Sequence, residues 1–345
     1  MNLYLFPSAP SNNNGYGIAV EYAIKKKQPH NDDIIVWYTN VPRDKIEGYQ
    51  GHHIIINKAS FYSIKSVSNI LLGRARLELN YNDLSFLQKY EFDTIHCDEV
   101  FFYRALRKIF PEKRFTVRLH NCYARILDRK RLLNLTLDSK FTKTLEIMYK
   151  LEREIFNDRN TYKIFLTEED RNYYVNNFGI TSDSEVWSFV PNVANHKDRV
   201  SQHVEHKLVW FGGIQSHKKA SVDWFVKSQF PLIKESIPDI ELHMWGLGTL
   251  KYNNPANHVY GYGFFDGKEK YPMANALYIN PDIIGGGIKL KLLQLIEDEV
   301  PFVTTPFGYE GYPHSLIDNK SVIVAEPHLM ADQIIKTLEK IHDNS

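Results

Sequence analysis

The segment best suited to bind a ligand is residues 280–311, NPDIIGGGIKLKLLQLIEDEVPFVTTPFGYEG. It carries three consecutive glycines followed by two lysines. A predicted strand ends at Ile279, the glycines occupy 285–287, and an amphipathic helix is predicted to begin near Ile288. Glycines let backbone N–H groups approach an anion closely, and a helix N-terminus adds a positive dipole. This order favours a phosphate site over its alternative, a plain flexible turn.

The two lysines support that interpretation. Lys289 and Lys291 lie in the first turn of the predicted helix, where a cation is unfavourable for the helix itself. An anionic ligand therefore explains them better than helix stability does. The spacing matches neither a P-loop nor the G-x-G-x-x-G dinucleotide fingerprint.

A second turn of this kind, residues 7–24, follows the first predicted strand. It carries Gly15 and Gly17 after three asparagines, and a helix is predicted to begin near Ile18. Glycine and asparagine tolerate tight or left-handed backbone shapes. An ordinary connection between strand and helix is the alternative. If two such turns face each other across a cleft, they can close on one diphosphate.

Alternating strands and helices are predicted to position these turns. Short runs rich in Ile, Val, Tyr and Phe favour buried strands at 3–6, 34–38, 53–56, 94–96, 115–119, 163–166, 208–211, 240–245, 276–279, 301–304 and 322–324. Helical patterns lie between several of them, for example at 142–156 and 289–299. The alternation predicts an α/β fold of parallel sheets with helices on both faces.

The alternation restarts near residue 207, after a polar stretch at 192–206 that suits a linker. We therefore predict a first domain at 1–195, a second at 196–327, and a terminal helix at 328–345 for which packing back on the first domain is one option. Ligands of such sheets bind at the carboxyl ends of the strands.

The composition excludes several classes of protein. The chain has 345 residues and 43% hydrophobic residues, and 42 basic residues balance 41 acidic ones. A net charge of +1 argues against nucleic-acid binding. We expect neither a signal peptide nor a membrane span, and two cysteines without metal-type spacing favour a reducing compartment, the cytoplasm.

Several segments, in order and spacing, resemble bacterial GT-B fold glycosyltransferases of the family 4-like group (glycosyl transferases group 1). They are 116–127, 165–179, 190–195, 208–225, 259–265 and 285–311. The resemblance covers most of the chain except 40–110, the region expected to face the acceptor. It implies two Rossmann-like doubly wound domains facing across a cleft, with the first on the acceptor side and the second binding a nucleotide sugar.

The resemblance also implies roles for individual residues. His120 would lie beside the transferred sugar. The residues that would contact the donor are Gly286, Gly287, Ile288 and Lys289 at its phosphates, Gly15 and Gly17 at the same diphosphate, Gly213 with Lys218 or Lys219 at further contacts, and Tyr262 with Gly263 at the base.

One departure concerns two glutamates, separated by seven positions, that many retaining members use for the sugar and the ribose. The corresponding residues are Gly286 and Gln294. Gln294 can still bond a ribose hydroxyl as a neutral group, and Asp282 or Glu310 could compensate. The resemblance implies a retaining, metal-independent hexosyltransferase, and the missing acids leave an inverting course open.

An inverting course needs a base for the acceptor hydroxyl. His120, Asp98 and Glu99 follow predicted strands and are the candidates. The alternatives are a hydrogen-bonded structural histidine for the first and a solvated loop for the other two.

A basic segment at 104–143 predicts peripheral contact with an anionic membrane surface, at the inner face of the cell membrane, or with a lipid-linked acceptor. Solvated helix faces are the alternative. Its cations are Arg104, Arg107, Lys108, Lys113, Arg114, Arg118, Arg125, Arg129, Lys130, Arg131, Lys140 and Lys143.

The functional prediction is therefore transfer of a sugar from a nucleotide-diphosphate sugar to a glycan or lipid-linked acceptor, in surface polysaccharide or glycoconjugate synthesis. The nucleotide sugar is the co-substrate, and neither a cofactor nor a metal is expected. Two alternatives stay open: a nucleotide-sugar epimerase of the same fold and a non-catalytic nucleotide-sugar-binding partner subunit.

Overall fold

The computed structural model describes residues 1–10, 15–43, 46, 48–60, 63–179, 183–189, 204–214, 217–265, 271–317 and 322–343. The chain divides into two compact units. Unit 1 comprises Met1–Asp128 and Ser139–Ser188, and unit 2 comprises Arg129–Asp138 and Phe189–Ser345. The division at residue 188 lies near the predicted one at 195, and the predicted linker falls largely on 190–203, outside the described residues.

Unit 1 alternates strands with helices along the chain. Its elements are β1 (Asn2–Phe6), α1 (Gly15–Lys27), β2 (Ile34–Tyr38), β3 (His52–Ile56), α2 (Ile64–Leu71), α3 (Tyr81–Leu84), β4 (Thr94–Asp98), α4 (Tyr103–Ile109), β5 (Phe115–Leu119), α5 (Tyr123–Leu132), α6 (Ser139–Asn157), β6 (Thr161–Phe165), α7 (Glu168–Phe178) and β7 (Ser184–Val186). Short 3₁₀ helices occupy Ser85–Lys89 and Val100–Phe102.

Within the described residues these strands form one parallel sheet of seven, ordered β3-β2-β1-β4-β5-β6-β7. Apolar side chains are buried on both of its faces. Leu3 and Leu5 belong to the core on one face, whereas Tyr4 and Phe6 belong to the core on the other. Such two-sided burial explains why these strands read as continuous apolar runs. The chain order reverses beside β1, which places the carboxyl ends of β1 and β4 at a switch point where ligands bind in such sheets.

Unit 2 repeats the pattern. Its elements are β8 (Lys207–Phe211), α8 (Lys218–Trp224), α9 (Phe230–Ser236), β9 (Glu241–Trp245), β10 (Val259–Gly263), β11 (Leu277–Asn280), α10 (Leu290–Glu297), β12 (Phe302–Thr304), α11 (Pro306–Tyr309), β13 (Val322–Val324) and α12 (Met330–Asp343). A π-helical turn at Phe225–Gln229 joins α8 to α9, and 3₁₀ helices occupy Thr249–Tyr252, Pro255–Asn257, His314–Leu316 and Pro327–Leu329.

The described strands of unit 2 form a parallel sheet of six, ordered β10-β9-β8-β11-β12-β13. The C-terminal helix α12 buries Met330, Ile334 and Leu338 in the core of this unit. The backbone N–H of Ala331 also donates to the Gln229 side chain at 3.2 Å. This helix therefore packs on the core of unit 2, and its packing back on the first domain stays a prediction.

The α/β prediction is confirmed, since every run predicted as a strand overlaps one. Two strands were missed: β7, which is short and polar, and β10, whose glycines resembled a turn. The helix predicted from Ile288 begins at Leu290. Among the described residues, no helix is long and apolar enough to cross a membrane.

Candidate functional site

The glycine loop of unit 2 runs from the end of β11 to the start of α10. Gly285 and Gly287 adopt φ values of 153° and 60°, a region that favours glycine. A Cβ atom on Gly285 would also lie 3.2 Å from the His217 ring nitrogen Nε2. The backbone shape therefore favours glycine at both positions, and the tight approach of His217 adds to this at Gly285. Gly286, between them, is half-buried.

Lys289 directs its ammonium group toward this loop. Its Nζ donates to the carbonyl oxygen of Gly287 at 2.9 Å and lies 4.1 Å from the centre of the Phe307 ring. The hydroxyl of Tyr312 donates to the Lys289 carbonyl oxygen at 3.0 Å, which fixes the backbone just before α10. Lys289 is thus held at the loop by three side chains or backbone groups of its own unit.

A buried carboxylate lies among the lysines of this loop. Burial alone would raise the pKa of Asp282, but nearby cations hold that pKa below its ordinary value; in order of effect they are Lys291, Lys218 and Lys289. Among the described residues, Oδ1 of Asp282 has no hydrogen-bond partner. Three lysines around one carboxylate leave an excess of positive charge, which suits an anion.

The surroundings of Lys291 perturb its pKa. Its pKa is lowered to about 8, chiefly by burial; Asp282 opposes this shift, and the charges of Lys218 and Lys289 contribute to it. Its Nζ lies 5.2 Å from the centre of the Trp210 ring. An added anion would raise this pKa, because it would favour the charged ammonium.

The structure separates the two lysines predicted at the start of α8. Lys218 acts on Asp282, whereas Lys219 forms an ion pair with Asp223 one turn along the helix and is half exposed. Lys218 therefore belongs to the lysine cluster and Lys219 does not. Gly213 follows β8, and none of the described residues lies within 4 Å of a Cβ atom placed there.

Tyr262 belongs to a row of stacked rings on β9 and β10. Its ring lies 4.3 Å from that of Trp245, and its hydroxyl is 2.8 Å from Nδ1 of His243. Gly263 has a φ of 79°, and its N–H donates to the Thr249 hydroxyl at 2.9 Å. The sequence prediction missed His243 and Trp245, although their alternate spacing along a strand places both on one face.

The remaining predicted donor residues lie on or near α10. Ile288 packs against the core of unit 2. Gln294 is half-buried, its carbonyl oxygen accepts from the Tyr271 hydroxyl at 3.0 Å, and among the described residues its side-chain amide has no hydrogen bond. Glu310 is half-buried at the end of α11.

Gly308, which the sequence prediction missed, lies where only glycine fits. A Cβ atom there would be 2.3 Å from the Thr304 hydroxyl and 2.4 Å from the Asn280 amide nitrogen. Those two side chains bond each other at 3.1 Å at the carboxyl ends of β12 and β11. In the sequence this glycine belongs to the triplet PFG, which is typical of an ordinary turn and does not indicate a close approach.

Unit 1 contains a buried cluster at the carboxyl ends of β4 and β5. Arg118 donates to both carboxylate oxygens of Asp98, through Nε to Oδ1 and through Nη2 to Oδ2 at 3.0 Å. His120, directly after β5, places Nε2 at 3.1 Å from Oδ1 of Asp98. All three side chains are buried. The arrangement orients the imidazole by the carboxylate, as an acid–base group requires.

Glu99 lies beside this cluster in a strained backbone conformation. Its φ is 122°, its side chain is fully buried, and burial raises its pKa to about 7. Oε2 accepts from the Val100 N–H at 3.3 Å, while Oε1 has no hydrogen-bond partner among the described residues. The solvated-loop interpretation of Asp98 and Glu99 is therefore wrong, because both residues are buried at the end of β4.

Glu152, a second buried acid, supports the segment after His120. It accepts the backbone N–H groups of Tyr123 at 2.9 Å and Ala124 at 3.0 Å, where α5 begins. Burial raises its pKa to about 8. The sequence carried no signal for it, since a glutamate in the charged helix 139–157 resembles a surface residue.

Among the described residues, no three His, Cys, Asp or Glu side chains group closely enough for a metal ion.

The glycine turn of unit 1 adjoins the same cluster. Helix α1 begins at Gly15, Gly17 is buried, and the Ala19 carbonyl oxygen accepts from Nη2 of Arg118 at 2.6 Å. The N-terminal half of α1 is thereby fixed to β5. The three asparagines at 12–14 lie outside the described residues.

Most arginines of the basic segment bind acids within unit 1. The pairs are Arg104 with Glu78 and Glu154, Arg107 with Asp158, Arg114 with Asp183, Arg118 with Asp98 and Arg125 with Asp170. Phe102 and Tyr103 are buried in the core. Five of the seven arginines of the segment are therefore engaged by acids of unit 1, and membrane contact by the segment stays a prediction.

A known protein family matches part of the second unit. Residues 205–340 match the family described as Glycosyl transferases group 1, and this range lies within unit 2. No curated protein sequence matches the chain.

Solved structures resemble nearly the whole chain. TarM superposes with a TM-score of 0.64 at 13% identity over 99% of this chain and 92% of its own. WaaG, a glycosyltransferase involved in lipopolysaccharide biosynthesis, gives 0.61 at 13% identity over 99% and 90%. HepE of Anabaena, solved with UDP and glucose, gives 0.60 at 12% identity over 100% and 90%. At such identities the likeness shows the fold, which is GT-B with two Rossmann-like domains.

Proposed function

We propose that this GT-B protein, whose residues 205–340 carry a group 1 glycosyltransferase domain, moves a sugar from a nucleoside-diphosphate sugar to a glycan or lipid-linked acceptor. The observation that carries the proposal is the set of Lys218, Lys289 and Lys291 around Asp282 beside the glycine loop. The UDP and glucose present in the HepE structure support the class of donor.

The lysine cluster would stabilise the leaving diphosphate. Charge develops on the departing phosphate oxygens in the transition state, and fixed cations lower that energy without reorganising. Lys289 is held toward the loop, and the neighbouring glycines expose backbone N–H groups. Because lysines supply this charge, we propose a metal-independent reaction without a cofactor, in which the nucleotide sugar is the co-substrate.

We propose a retaining course for the reaction. Gly286 and Gln294 replace the two acids that many retaining enzymes use, so the sugar and ribose would be held by neutral groups. The Gln294 amide is not engaged by any described residue and can bond a ribose hydroxyl in place of the second acid.

The buried cluster of unit 1 would supply proton transfer and sugar contacts. His120 is oriented by Asp98, and Glu99 has a pKa raised to about 7, where a carboxyl can both accept and donate a proton. Asp98 is committed to Arg118, so we assign it to positioning His120 and leave Glu99 and His120 as the acid–base groups.

We further propose a role in surface polysaccharide or glycoconjugate synthesis in the cytoplasm, peripheral to the inner face of the membrane, without nucleic acid as a partner. WaaG, which shares the fold, takes part in lipopolysaccharide biosynthesis. Cys97 and Cys122 are free and buried, which fits a reducing compartment.

Incubation with a panel of nucleotide sugars and an acceptor mixture tests the proposal. Release of nucleoside diphosphate together with a glycosylated acceptor is the expected result. Binding of a nucleotide sugar without any turnover would instead support the non-catalytic partner subunit, which the replaced acids would fit. Epimerisation of the free nucleotide sugar would identify the third candidate, for which Glu99 and His120 offer an acid–base pair.

A further inference from the structure

One buried arginine of unit 1 connects helix α1 to the carboxylate beside His120. Arg118 donates through Nε to Oδ1 of Asp98, and through Nη2 to Oδ2 of Asp98 at 3.0 Å and to the Ala19 carbonyl oxygen at 2.6 Å. A guanidinium that binds both oxygens of a carboxylate sets the orientation of that carboxylate. The bond to Ala19, in the backbone of α1, keeps the guanidinium itself in place.

Stability alone does not explain this ion pair. Both side chains are buried, and the desolvation of two buried charges offsets most or all of their mutual attraction. Apolar side chains occupy neighbouring positions of the same strands, for example Ile95 on β4 and Val117 on β5. Since apolar residues of similar volume often replace a buried ion pair without loss of stability, the two charges indicate another role.

The ion pair keeps Asp98 in its charged form. Burial alone would raise the pKa of Asp98, but Arg118, followed by His120, holds that pKa below its ordinary value. An ionised carboxylate has no hydrogen to donate and only accepts hydrogen bonds. Each group that bonds Asp98 must therefore supply the hydrogen.

That requirement fixes the tautomer of His120. Nε2 of His120 lies 3.1 Å from Oδ1 of Asp98, so Nε2 carries the hydrogen of this bond. A neutral imidazole has a single N–H group, which leaves Nδ1 as the nitrogen with a lone pair. In the neutral ring, Nδ1 is therefore the atom that can take a proton from a hydroxyl group.

A close approach of Arg118 to the same nitrogen agrees with this tautomer. Nη2 of Arg118 lies 3.3 Å from Nε2 of His120, and Nη2 carries two hydrogens. One of them bonds Oδ2 of Asp98 and the other bonds the Ala19 carbonyl oxygen. Nη2 therefore has no hydrogen left for Nε2, and this contact does not favour the opposite tautomer.

We propose that Arg118 is a positioning residue of the reaction: by holding the Asp98 carboxylate in one orientation, it keeps His120 in the Nε2–H tautomer, with Nδ1 as the nitrogen that exchanges a proton with the substrate. The inference rests on the acid–base role proposed for His120. It adds the reacting atom of that residue and the side chain that selects this atom.

NMR spectroscopy of the full chain, labelled with ¹⁵N-histidine, tests the tautomer without any ligand. Couplings of the ring hydrogens to the two nitrogens distinguish a protonated from an unprotonated nitrogen, and His120→Gln identifies the signals of this residue. At a pH where the ring is neutral, we expect the wild type to show Nε2 protonated and Nδ1 unprotonated. The opposite assignment in the wild type would overturn the proposal.

Arg118→Lys tests the role of the guanidinium. Lysine keeps the positive charge but lacks the planar fork that binds both carboxylate oxygens. We expect a mixture of both His120 tautomers and a fall in turnover of about 10²-fold, the lower end of the range for a general acid–base group. The affinity for UDP should stay that of the wild type, because the lysine cluster of unit 2 is unchanged.

Asp158→Asn is the matched control, because it weakens another ion pair of unit 1, the one with Arg107. It should lower the thermal midpoint and leave both the His120 tautomer and the turnover as in the wild type. A merely structural Arg118 would behave in the same way. An Arg118→Lys variant with the wild-type tautomer and turnover would therefore overturn the proposal.

The spectra separate this inference from the proposed function. If the wild type transfers no sugar, the proposed function fails, but the wild-type and Arg118→Lys spectra still decide the tautomer. If Arg118→Lys does not fold, Asp98→Asn replaces it, since an amide can donate to Nε2 and should shift His120 toward the Nδ1–H tautomer. An unchanged tautomer in that variant would count against the proposal.

Discussion

The ammonium group of Lys289 donates a hydrogen bond to the carbonyl oxygen of Gly287 at 2.9 Å, and so points back over the loop that precedes its own helix. A lysine committed to solvent would extend away from the helix. Lys289 therefore lies where its ammonium group would exchange the Gly287 carbonyl oxygen for the charged oxygens of a phosphate that enters the loop.

Lys289→Ala should weaken binding of UDP by about 1–3 kcal/mol, the range for a hydrogen bond to a charged group. Isothermal titration calorimetry measures this directly. Lys227→Ala is the control, since Lys227 is an exposed lysine of the same unit outside the cluster. Equal UDP affinity in Lys289→Ala and the wild type would refute the phosphate assignment.

Binding of UDP should depend on pH through Lys291. Its pKa is about 8 in the free protein, so it is charged below pH 8 and neutral above it. An anion binds the charged form better, so the affinity should be full below pH 8 and fall above it, by up to about tenfold per pH unit.

Calorimetry in buffers of different ionisation enthalpy should also show proton uptake on binding near pH 8. Lys291→Arg keeps the positive charge without titrating in this range and should remove the pH dependence. If the dependence survives in that variant, the titrating group is not Lys291.

Glu99→Gln should stabilise the fold at pH 8 while lowering turnover. The pKa of Glu99 rises to about 7 in the folded chain, so the folded state holds its proton more tightly than the unfolded state. Stability from this group is therefore present at low pH and is lost as the pH rises through the window between the unfolded pKa and about 7.

The neutral glutamine avoids that loss, and we expect a gain of about 3 kcal/mol at pH 8 that shrinks toward pH 5. Urea unfolding at the two pH values measures it, with the exposed Glu112→Gln as control. Turnover should fall by roughly 10²-fold or more if Glu99 transfers a proton. Unchanged turnover in a stabilised variant would make Glu99 a structural residue.

Gly308→Ala should destabilise unit 2 by about 1–3 kcal/mol, because its Cβ atom would overlap the Thr304 and Asn280 side chains. Gly213→Ala is the matched control for stability, since a Cβ atom there has no described residue within 4 Å. Thermal unfolding compares the two. Similar midpoints for both variants would show that the ends of β11 and β12 adjust freely.

The sequence by itself determined the fold class and the position of the glycine loop, residues 285–287, in the chain. Strands buried on both faces must be apolar throughout, so runs such as 34–38 and 115–119 match their strands residue for residue. The strand, glycine triplet and lysines at 277–291 are local in the chain, and local patterns can be read without the fold. The short polar strand β7 lacked such a pattern and was missed.

Only the tertiary structure decided which charged side chains share a site. Lys218 and Lys219 are neighbours in sequence, yet one acts on Asp282 and the other pairs with Asp223. Glu99 and Glu152 looked like surface acids, and the packing of β4 and α6 buries them and raises the pKa of each. Helix α2 turns Ile64 and Leu71 outward, because the Ser66 and Asn69 side chains on its other side have hydrogen-bond partners outside the helix. Burial and charge depend on contacts between distant segments, and no window of sequence contains them.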